Sequence, residues 1–273
     1  MDAFDAFERA TWDSRAEPYA RTFGRLCAGT APALLDAAGL PDGAAPGLRL
    51  LDVGTGPGTV AAAACARGAR VTAVDAEPSM VALAAHNVPQ ADVRQATLPR
   101  LPFADGEFDA VVGNFVLNHV ARPRTALAEL TRVTAPGGRI ALTVWASPGA
   151  AGQALLGRAV EAAGATRPAD MPAGLAAEED FPRTADGLAA LLREAGLADA
   201  SCAPQHWNHI VDPDDWWAGA AAGIAFIGQV VTRQPPAVVT RIRGAYDALA
   251  GEFRRPDGLL ALPHTALLVH ATA

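Results

Sequence analysis

Hydrophobic and polar positions alternate along this chain in the manner of a protein that mixes strands and helices. Short aliphatic and β-branched runs predict strands, and Ala- and Leu-rich segments between them carry the three-to-four-residue spacing of helices. The predicted strands cover residues 49–53, 70–75, 91–95, 109–114, 138–145, 198–209 and 264–272. The predicted helices between them cover residues 58–67, 78–86, 122–134 and 184–195. This alternation indicates an α/β fold with a seven-stranded, mostly parallel sheet and helices on both faces.

The same pattern divides the chain into five segments. An N-terminal cap of two or three helices is followed by a core of strands and helices, the remainder of the sheet with its connecting helices, a helical insertion and a last strand. Because the insertion separates the last two strands, we predict that it forms a lid together with the cap. These segments cover residues 1–47, 48–146, 147–210, 211–258 and 259–273.

The turn after the first strand holds three glycines in the spacing G-x-G-x-G, at Gly54, Gly56 and Gly58. Glycines between a strand and a helix let bare backbone approach a ligand at the helix N-terminus. The second strand ends in Asp75, about 20 residues past the first glycine, where a carboxylate can accept both hydroxyls of a ribose. The pattern therefore predicts a nucleoside-binding edge.

Two positions argue against a dinucleotide ligand. The dinucleotide fingerprint G-x-G-x-x-G would place its third glycine where this chain has Thr59. Asp52 directly precedes the turn, and an anionic pyrophosphate would be unfavourable beside its carboxylate. The turn instead favours a nucleoside ligand with a cationic or amino end, and S-adenosylmethionine (SAM) has both a sulfonium and an ammonium group.

The segment 52–58, Asp-Val-Gly-Thr-Gly-Pro-Gly, resembles the SAM-binding motif of class I methyltransferases. Three further segments match in the family's order, at residues 75–80, 101–109 and 135–140. The resemblance covers roughly residues 48–145 and is closest to small-molecule methyltransferases of the quinone and natural-product tailoring type. It implies a Rossmann-like fold, SAM as cofactor, and methyl transfer to a small aromatic acceptor.

The resemblance also implies which residues contact the cofactor. Gln95-Ala96-Thr97 stands where the family often has Asp-Ala, and the amide oxygen of Gln95 can still accept a hydrogen bond from the adenine amine. The implied cofactor-binding residues are Asp52, Gly54, Thr55, Gly56, Gly58, Asp75, Ala76, Met80, Gln95, Ala96, Thr97, Asn114 and Phe115.

Methyl transfer from a sulfonium mainly requires that a nucleophile be aligned with the methyl group, and positioning can contribute about 7–11 kcal/mol. Aromatic and polar side chains outside the predicted sheet core suit this task, although each also suits ordinary packing. Those at strand ends, Phe115 and Trp145, are favoured. The predicted substrate-binding residues are Trp12, Tyr19, Asn118, His119, Trp145, Trp207, Trp217 and Phe226.

Two of these residues are candidates for a catalytic role. His119 begins the helix after the fourth strand, near the expected methyl group, and a neutral imidazole can act as a general base. The alternative is a histidine that is hydrogen-bonded within the helix–sheet packing. Tyr19 could position the acceptor or reach the methionine end of SAM, and its alternative is a cap residue with a satisfied hydroxyl.

Composition narrows the possible partners. The formal net charge is −7 and the pI is about 5.3, which disfavours nucleic acid and anionic membranes as partners. The acidic N-terminus and three isolated cysteines predict a cytoplasmic protein without a disulfide framework. His206 and His209 face opposite sides of a strand, so no metal is expected. The expected partner is a small molecule, and a homo-oligomer is compatible with the sequence.

Three other functions remain open at this point. A related enzyme could use bound SAM to promote a cyclisation or isomerisation, a non-catalytic protein could bind SAM as a regulator, and a nucleotide-dependent oxidoreductase is the most distant alternative. Carbon, oxygen and nitrogen acceptors all remain possible. Product mass separates methylation from isomerisation, because only methylation adds a methylene unit.

Overall fold

One seven-stranded sheet forms the centre of the computed structural model, which describes residues 3–172 and 174–273. Its strand order is β3-β2-β1-β4-β5-β7-β6. Strands β1 to β5 pair in parallel, and β7 runs antiparallel to both neighbours. The strands are β1 (Arg49–Val53), β2 (Arg70–Asp75), β3 (Asp92–Gln95), β4 (Phe108–Asn114), β5 (Thr134–Trp145), β6 (Ala198–Val211) and β7 (Leu260–Thr272). The predicted fold class is confirmed.

Helices cover both faces of this sheet and its carboxyl edge. The α-helices of the described residues are α1 (Ala3–Trp12), α2 (Ala16–Arg21), α3 (Phe23–Cys27), α4 (Ala31–Ala37), α5 (Thr59–Ala66), α6 (Pro78–Asn87), α7 (Pro123–Val133), α8 (Ala151–Ala162), α9 (Ala185–Glu194), α10 (Pro213–Ala221), α11 (Ala225–Thr232) and α12 (Pro236–Ala250).

The central strands are apolar on both sides because helices bury both faces of the sheet. Successive residues of β1 alternate between the two resulting cores: Leu51 packs with α7 and α9, whereas Leu50 packs with α4 and α5. Both leucines are fully buried. This double burial fixes the strand register, so the carboxyl ends of β1, β2, β4 and β5 meet at one edge of the sheet.

The largest differences from the sequence-based prediction concern the N-terminal helices and the starts of two strands. The N-terminal segment has four α-helices rather than two or three, because Ser14 adopts a left-handed conformation (φ 58°) between α1 and α2, and Thr22 separates α2 from α3. Strand β5 begins four residues earlier than predicted, because Thr134 pairs with Phe108. Strand β7 also begins four residues early, because its hairpin with β6 continues to Leu260.

The N-terminal helices and the insertion form one helical layer over the carboxyl edge of the sheet. Helix α1 packs against α11, and α10 packs against α2. The Arg15 guanidinium connects the two parts, since it donates to the carbonyls of Thr11 (2.8 Å) and Ala222 (3.3 Å). Within the described residues, no helix is long and apolar enough to cross a membrane.

Candidate functional site

A cavity of about 890 Å³ lies between the carboxyl edge of the sheet and the helical layer. One end is lined by the glycine turn and by Asp75. The other end is lined by aromatic side chains, among them Trp12 and Trp145, and by His264. Its volume is that of a site for an organic ligand. The two ends differ in chemistry, because the first is formed by backbone and carboxylate groups and the second mainly by rings.

The glycine turn brings backbone close to this cavity. Gly54 has φ 68°, and a Cβ atom added there would lie 2.7 Å from Cγ2 of Val116. Gly58 has φ 89°, and a Cβ atom would lie 2.8 Å from Cγ2 of Val88 on the far side of the turn. Glycine is therefore required at both positions for steric reasons, the first facing the cavity and the second packing α5 against α6.

Asp75 ends β2 and organises the turn. Its Oδ2 accepts a hydrogen bond from the backbone N–H of Gly56 (2.8 Å), and its Oδ1 accepts one from the backbone N–H of Glu77 (3.0 Å). Burial raises the pKa of this carboxyl, although the backbone donors oppose the shift. Each carboxylate oxygen keeps a second lone pair, so Asp75 can accept two further hydrogen bonds from a ligand in the cavity.

The adenine-end residues lie beside Asp75. Ala76, Met80, Gln95, Ala96 and Thr97 all line the cavity. Nε2 of Gln95 donates to the carbonyl of Ala76 (3.1 Å), which leaves its Oε1 as an acceptor.

Asp52 lies beneath the glycine turn and does not line the main cavity, contrary to expectation. It is buried, its Oδ2 accepts a hydrogen bond from Oγ1 of Thr55 (2.7 Å), and its Oδ1 has no partner. Burial and the nearby Asp75 charge raise the pKa of Asp52 to about 7. A second cavity of about 30 Å³ joins Asp52 and Thr55 to Gly56. Thr55 and Gly58 likewise do not line the main cavity.

The end of β4 forms one wall of the cavity through two different side chains. The amide of Asn114 is hydrogen-bonded within the protein. Its Oδ1 accepts from the hydroxyls of Thr30 (2.7 Å) and Thr143 (2.6 Å), and its Nδ2 donates to the carbonyl of Cys27 (2.9 Å). Phe115 adopts a left-handed conformation (φ 62°), which is uncommon for a bulky residue.

The ring of Phe115 lies against another aromatic side chain. Its ring stacks on Trp145 at the end of β5, with centroids 4.1 Å apart and planes 22° apart. Both residues line the cavity, so the stacked pair forms an apolar part of its wall.

His119 forms a hydrogen-bonded group with two residues of α1. Its Nδ1 lies 2.8 Å from Oε2 of Glu8, and the same oxygen accepts a hydrogen bond from Nε1 of Trp12 (3.0 Å). Burial would raise the pKa of Glu8, but the His119 charge and the two hydrogen bonds together lower it below its usual value. All three residues line the cavity. A carboxylate that holds Nδ1 orients the imidazole and leaves Nε2 to act on a ligand.

Sequence reasoning missed Glu8. Its position four residues before Trp12 on one helical face is the available signal, but no sequence feature connects Glu8 to His119, more than a hundred residues away.

Tyr19 lies between the two ends of the cavity. Its ring packs edge-on against Trp12 with centroids 5.2 Å apart, and a Cβ atom added to Gly56 would lie 3.4 Å from its Cε1. The hydroxyl is hydrogen-bonded to the Cys27 thiol, and burial raises the pKa of both groups, that of Cys27 to about 12. Tyr19 is therefore a neutral side chain that borders the glycine turn.

His264 on β7 is a second imidazole at the cavity, and it was not predicted. Its Nδ1 donates to the carbonyl of Leu262 (2.8 Å), and burial lowers its pKa to about 4. The available signal was its position in the strand: His264 lies on the same buried face of β7 as Leu260, Leu262 and Ala266. That signal equally fits a core histidine.

Four predicted substrate-binding residues do not line the cavity. Trp207 lies behind Trp145, with ring centroids 5.9 Å apart, and Trp217 packs against Tyr246, with ring centroids 5.5 Å apart. Phe226 is 45% exposed, and the amide of Asn118 is buried without a partner. Trp12, Tyr19, His119 and Trp145 do line it. Spacing along the chain does not reveal which side of a lid helix faces inward.

Trp217 and Trp12 should respond differently to substitution by alanine. Trp217 is buried between α10 and α12, so Trp217→Ala should lower the free energy of unfolding by about 3–5 kcal/mol. Trp12→Ala removes a half-buried ring from the cavity and a donor to Glu8, so turnover should fall more than stability. Denaturant unfolding and turnover, measured at a temperature where both variants are folded, test this. If the folded Trp217→Ala variant has reduced turnover, Trp217 contributes to acceptor binding and the packing role is wrong.

The contribution of His264 to the free energy of unfolding should decrease as the pH falls from about 6.5 towards 4. The pKa of His264 is lowered to about 4 in the folded protein from an ordinary value of 6.5. Above pH 6.5 the His264 imidazole is neutral in both the folded and the unfolded protein. Below pH 6.5 it binds a proton in the unfolded chain but not in the folded protein, which lowers the free energy of unfolding by about 1.4 kcal/mol per pH unit. The free energy of unfolding is measured with urea at pH near 7 and near 4.5. Between these two pH values, it should fall by about 2–3 kcal/mol less in His264→Phe than in the parent protein. Equal losses would contradict the pKa of His264.

Comparisons with known proteins agree with this geometry. A family model described as a methyltransferase domain matches residues 51–142. Demethylmenaquinone methyltransferase of Renibacterium salmoninarum is 40% identical over 106 residues, which cover 39% of this chain and 45% of the relative. The chain spans about half the length of the curated relatives that it matches.

Solved structures share the fold over most of the chain. The YcgJ protein of Bacillus subtilis has a TM-score of 0.55 at 20% identity, covering 89% of this chain and 97% of that one. Phosphoethanolamine N-methyltransferase 2 of Haemonchus contortus, in complex with SAM, has a TM-score of 0.51 at 14% identity, covering 89% and 52%. These findings show that residues 51–142 match a methyltransferase domain and that most of the chain shares the fold of these solved structures.

Proposed function

We propose that this protein transfers the methyl group of SAM to a small aromatic acceptor that lies between the Phe115–Trp145 pair and helix α1. The observation that carries the proposal is the single cavity that joins the glycine turn and Asp75 to an aromatic chamber containing the Glu8–His119 pair. The matched relatives named demethylmenaquinone methyltransferase favour an acceptor with a quinone-type ring.

The residues at the first end of the cavity fit SAM. Asp75 has lone pairs for the two ribose hydroxyls, and Gln95 has a free amide oxygen for the adenine amine. Asp52 lies beneath the turn with an unpartnered Oδ1, and an ammonium group at the methionine end of SAM would favour the ionised form of its carboxyl. Gly54 and Gly56 leave the cavity side of the turn without side chains.

Bound SAM supplies an electrophilic methyl group on a sulfonium. The chain itself contributes position and a dry environment: the stacked Phe115 and Trp145 rings hold a flat acceptor, and Tyr19 and Trp12 exclude water on the opposite side. His119 then removes a proton from the acceptor, with Glu8 holding Nδ1 and stabilising the imidazolium that forms. This role requires an acceptor atom that carries a proton.

The experiment is an incubation of the purified protein with methyl-labelled SAM and a panel of hydroxylated aromatics, reduced quinones and indoles. We expect transfer of the label and a product heavier by one methylene unit. A product of unchanged mass that requires SAM would indicate the isomerase alternative. Tight binding of SAM with no chemical change in any acceptor would favour the non-catalytic alternative, and absence of SAM binding would refute the proposal.

A further inference from the structure

A hydrogen bond to the backbone determines which nitrogen of the buried His264 imidazole carries the proton. The carbonyl of Leu262 can only accept a hydrogen bond, so the contact of 2.8 Å places the proton on Nδ1. The neutral ring therefore carries a lone pair on Nε2, and no described residue donates to that atom. His264 is only 2% exposed, yet its side chain lines the cavity. Nε2 is thus a hydrogen-bond acceptor that is unused within the described part of the chain.

The surroundings of His264 are aromatic but not purely apolar. Its ring lies 6.0 Å from that of Trp145, 5.8 Å from Trp207 and 5.7 Å from Trp216. Nε1 of Trp216, a residue that lines the cavity, is buried without an acceptor. A polar atom that is buried and unpaired is costly, and leucine or phenylalanine would form an apolar wall without that cost. This end of the cavity is therefore suited to a ligand that carries a polar group.

The two imidazoles lie on the same edge of the sheet but on different strands. His119 follows β4, whereas His264 lies on β7, and β5 with Trp145 separates them. Ala266 is the register partner of Trp145, and His264 lies two residues beyond it on the same face. Adjacent strands are about 4.8 Å apart, so β4 and β7 are separated by roughly 10 Å. A molecule of one or two aromatic rings that contacts Trp145 has a length comparable to this strand separation.

We infer that Nε2 of His264 accepts a hydrogen bond from a second polar group of the acceptor, a ring hydroxyl or a ring N–H, distinct from the atom that His119 deprotonates. The preferred acceptors are then one- or two-ring aromatic molecules with two donor groups. This inference rests on the proposed function in one respect, because the proposed function identifies the aromatic chamber as the acceptor site. His264 is a specificity residue on this basis, since it touches the acceptor but not the transferred methyl group.

The test uses ligand binding rather than methyl transfer. The protein, saturated with S-adenosylhomocysteine, is titrated calorimetrically with 1-naphthol, 2-naphthol and the isomeric dihydroxynaphthalenes. At least one diol should bind more tightly than either naphthol, and His264→Phe should reduce that preference by about two- to tenfold, the usual contribution of one hydrogen bond. His264→Gln retains an acceptor oxygen and should restore part of the preference.

A matched control is available on the neighbouring strand. His206 is exposed on β6, its Nδ1 lies 2.9 Å from Oγ1 of Thr265, and it does not line the cavity. His206→Phe should leave every dissociation constant unchanged.

The second readout is the ¹⁵N spectrum of histidine-labelled protein. The Nε2 resonance of His264 should have the position of an unprotonated nitrogen and should move towards smaller shift when the preferred diol binds. An unmoved resonance at saturation, a diol preference that survives in His264→Phe, or no diol preference in the parent protein would each overturn the inference. If His264→Phe does not fold, the spectrum of the parent protein decides. A lack of turnover with every acceptor would count against the proposed function and leave the binding result intact.

Discussion

His119→Gln is expected to lower the turnover number for methyl transfer about 10²-fold or more, with the dissociation constant of SAM unchanged. General base catalysis contributes about 10²- to 10⁴-fold, and glutamine retains the size and polarity of the side chain without its basicity. Glu8→Gln should cause a smaller loss, because it removes the charge that holds Nδ1 and stabilises the imidazolium but keeps a hydrogen-bonding group. Single-turnover kinetics with mass-spectrometric detection measure both effects.

Comparing turnover with SAM affinity separates a catalytic from a packing role for His119. If the imidazole is the base, His119→Gln should lose turnover while its dissociation constant for SAM stays that of the parent protein. His86→Gln is the matched control, because His86 is exposed in the last turn of α6 and does not line the cavity. Equal losses of SAM affinity and turnover in His119→Gln, or a variant with full turnover, would show that the histidine only supports the helical layer.

Asp75→Ala is expected to weaken SAM binding by about ten- to a hundredfold. Hydrogen bonds to a charged partner contribute about 1.5–3 kcal/mol, and the carboxylate has lone pairs free for both ribose hydroxyls. Calorimetry with SAM and S-adenosylhomocysteine measures the effect. Asp92→Ala is the control, since Asp92 is an exposed carboxylate at the start of β3 that pairs with Arg94.

Because Asp75 also accepts from two backbone amides, its substitution could disturb the turn itself. Comparing S-adenosylhomocysteine with its 2′-deoxy analogue resolves this. In the parent protein the missing hydroxyl should weaken binding, whereas in Asp75→Ala it should matter little, because the carboxylate that accepted it is gone. A penalty of the same size in both proteins would mean that other groups hold the ribose.

The local sequence determined the elements that follow from periodicity and turn chemistry. Strands β1, β2 and β4 are predicted within one residue, because each is a short apolar run that ends in a polar or glycine residue. The glycine turn is also local, since Gly54 and Gly58 need positive φ wherever the chain is placed. The position of Asp75 beside the glycine turn is also predictable from the sequence. Asp75 ends β2, the strand next to β1, and parallel strands end at the same edge of a sheet.

Only the tertiary structure decided which side chains of the helical layer face the cavity. Glu8 reaches His119 because α1 folds back over the end of β4, and no local pattern specifies that contact. Trp217 has the composition of a substrate-binding residue but packs against Tyr246, because α12 covers its side of α10. His264 looks like a core residue in its strand and becomes a cavity residue because β7 lies beside β5. Strand ends are fixed by short-range backbone geometry, whereas the acceptor chamber arises from contacts between segments far apart in the chain, so its residues could be read only from the folded structure.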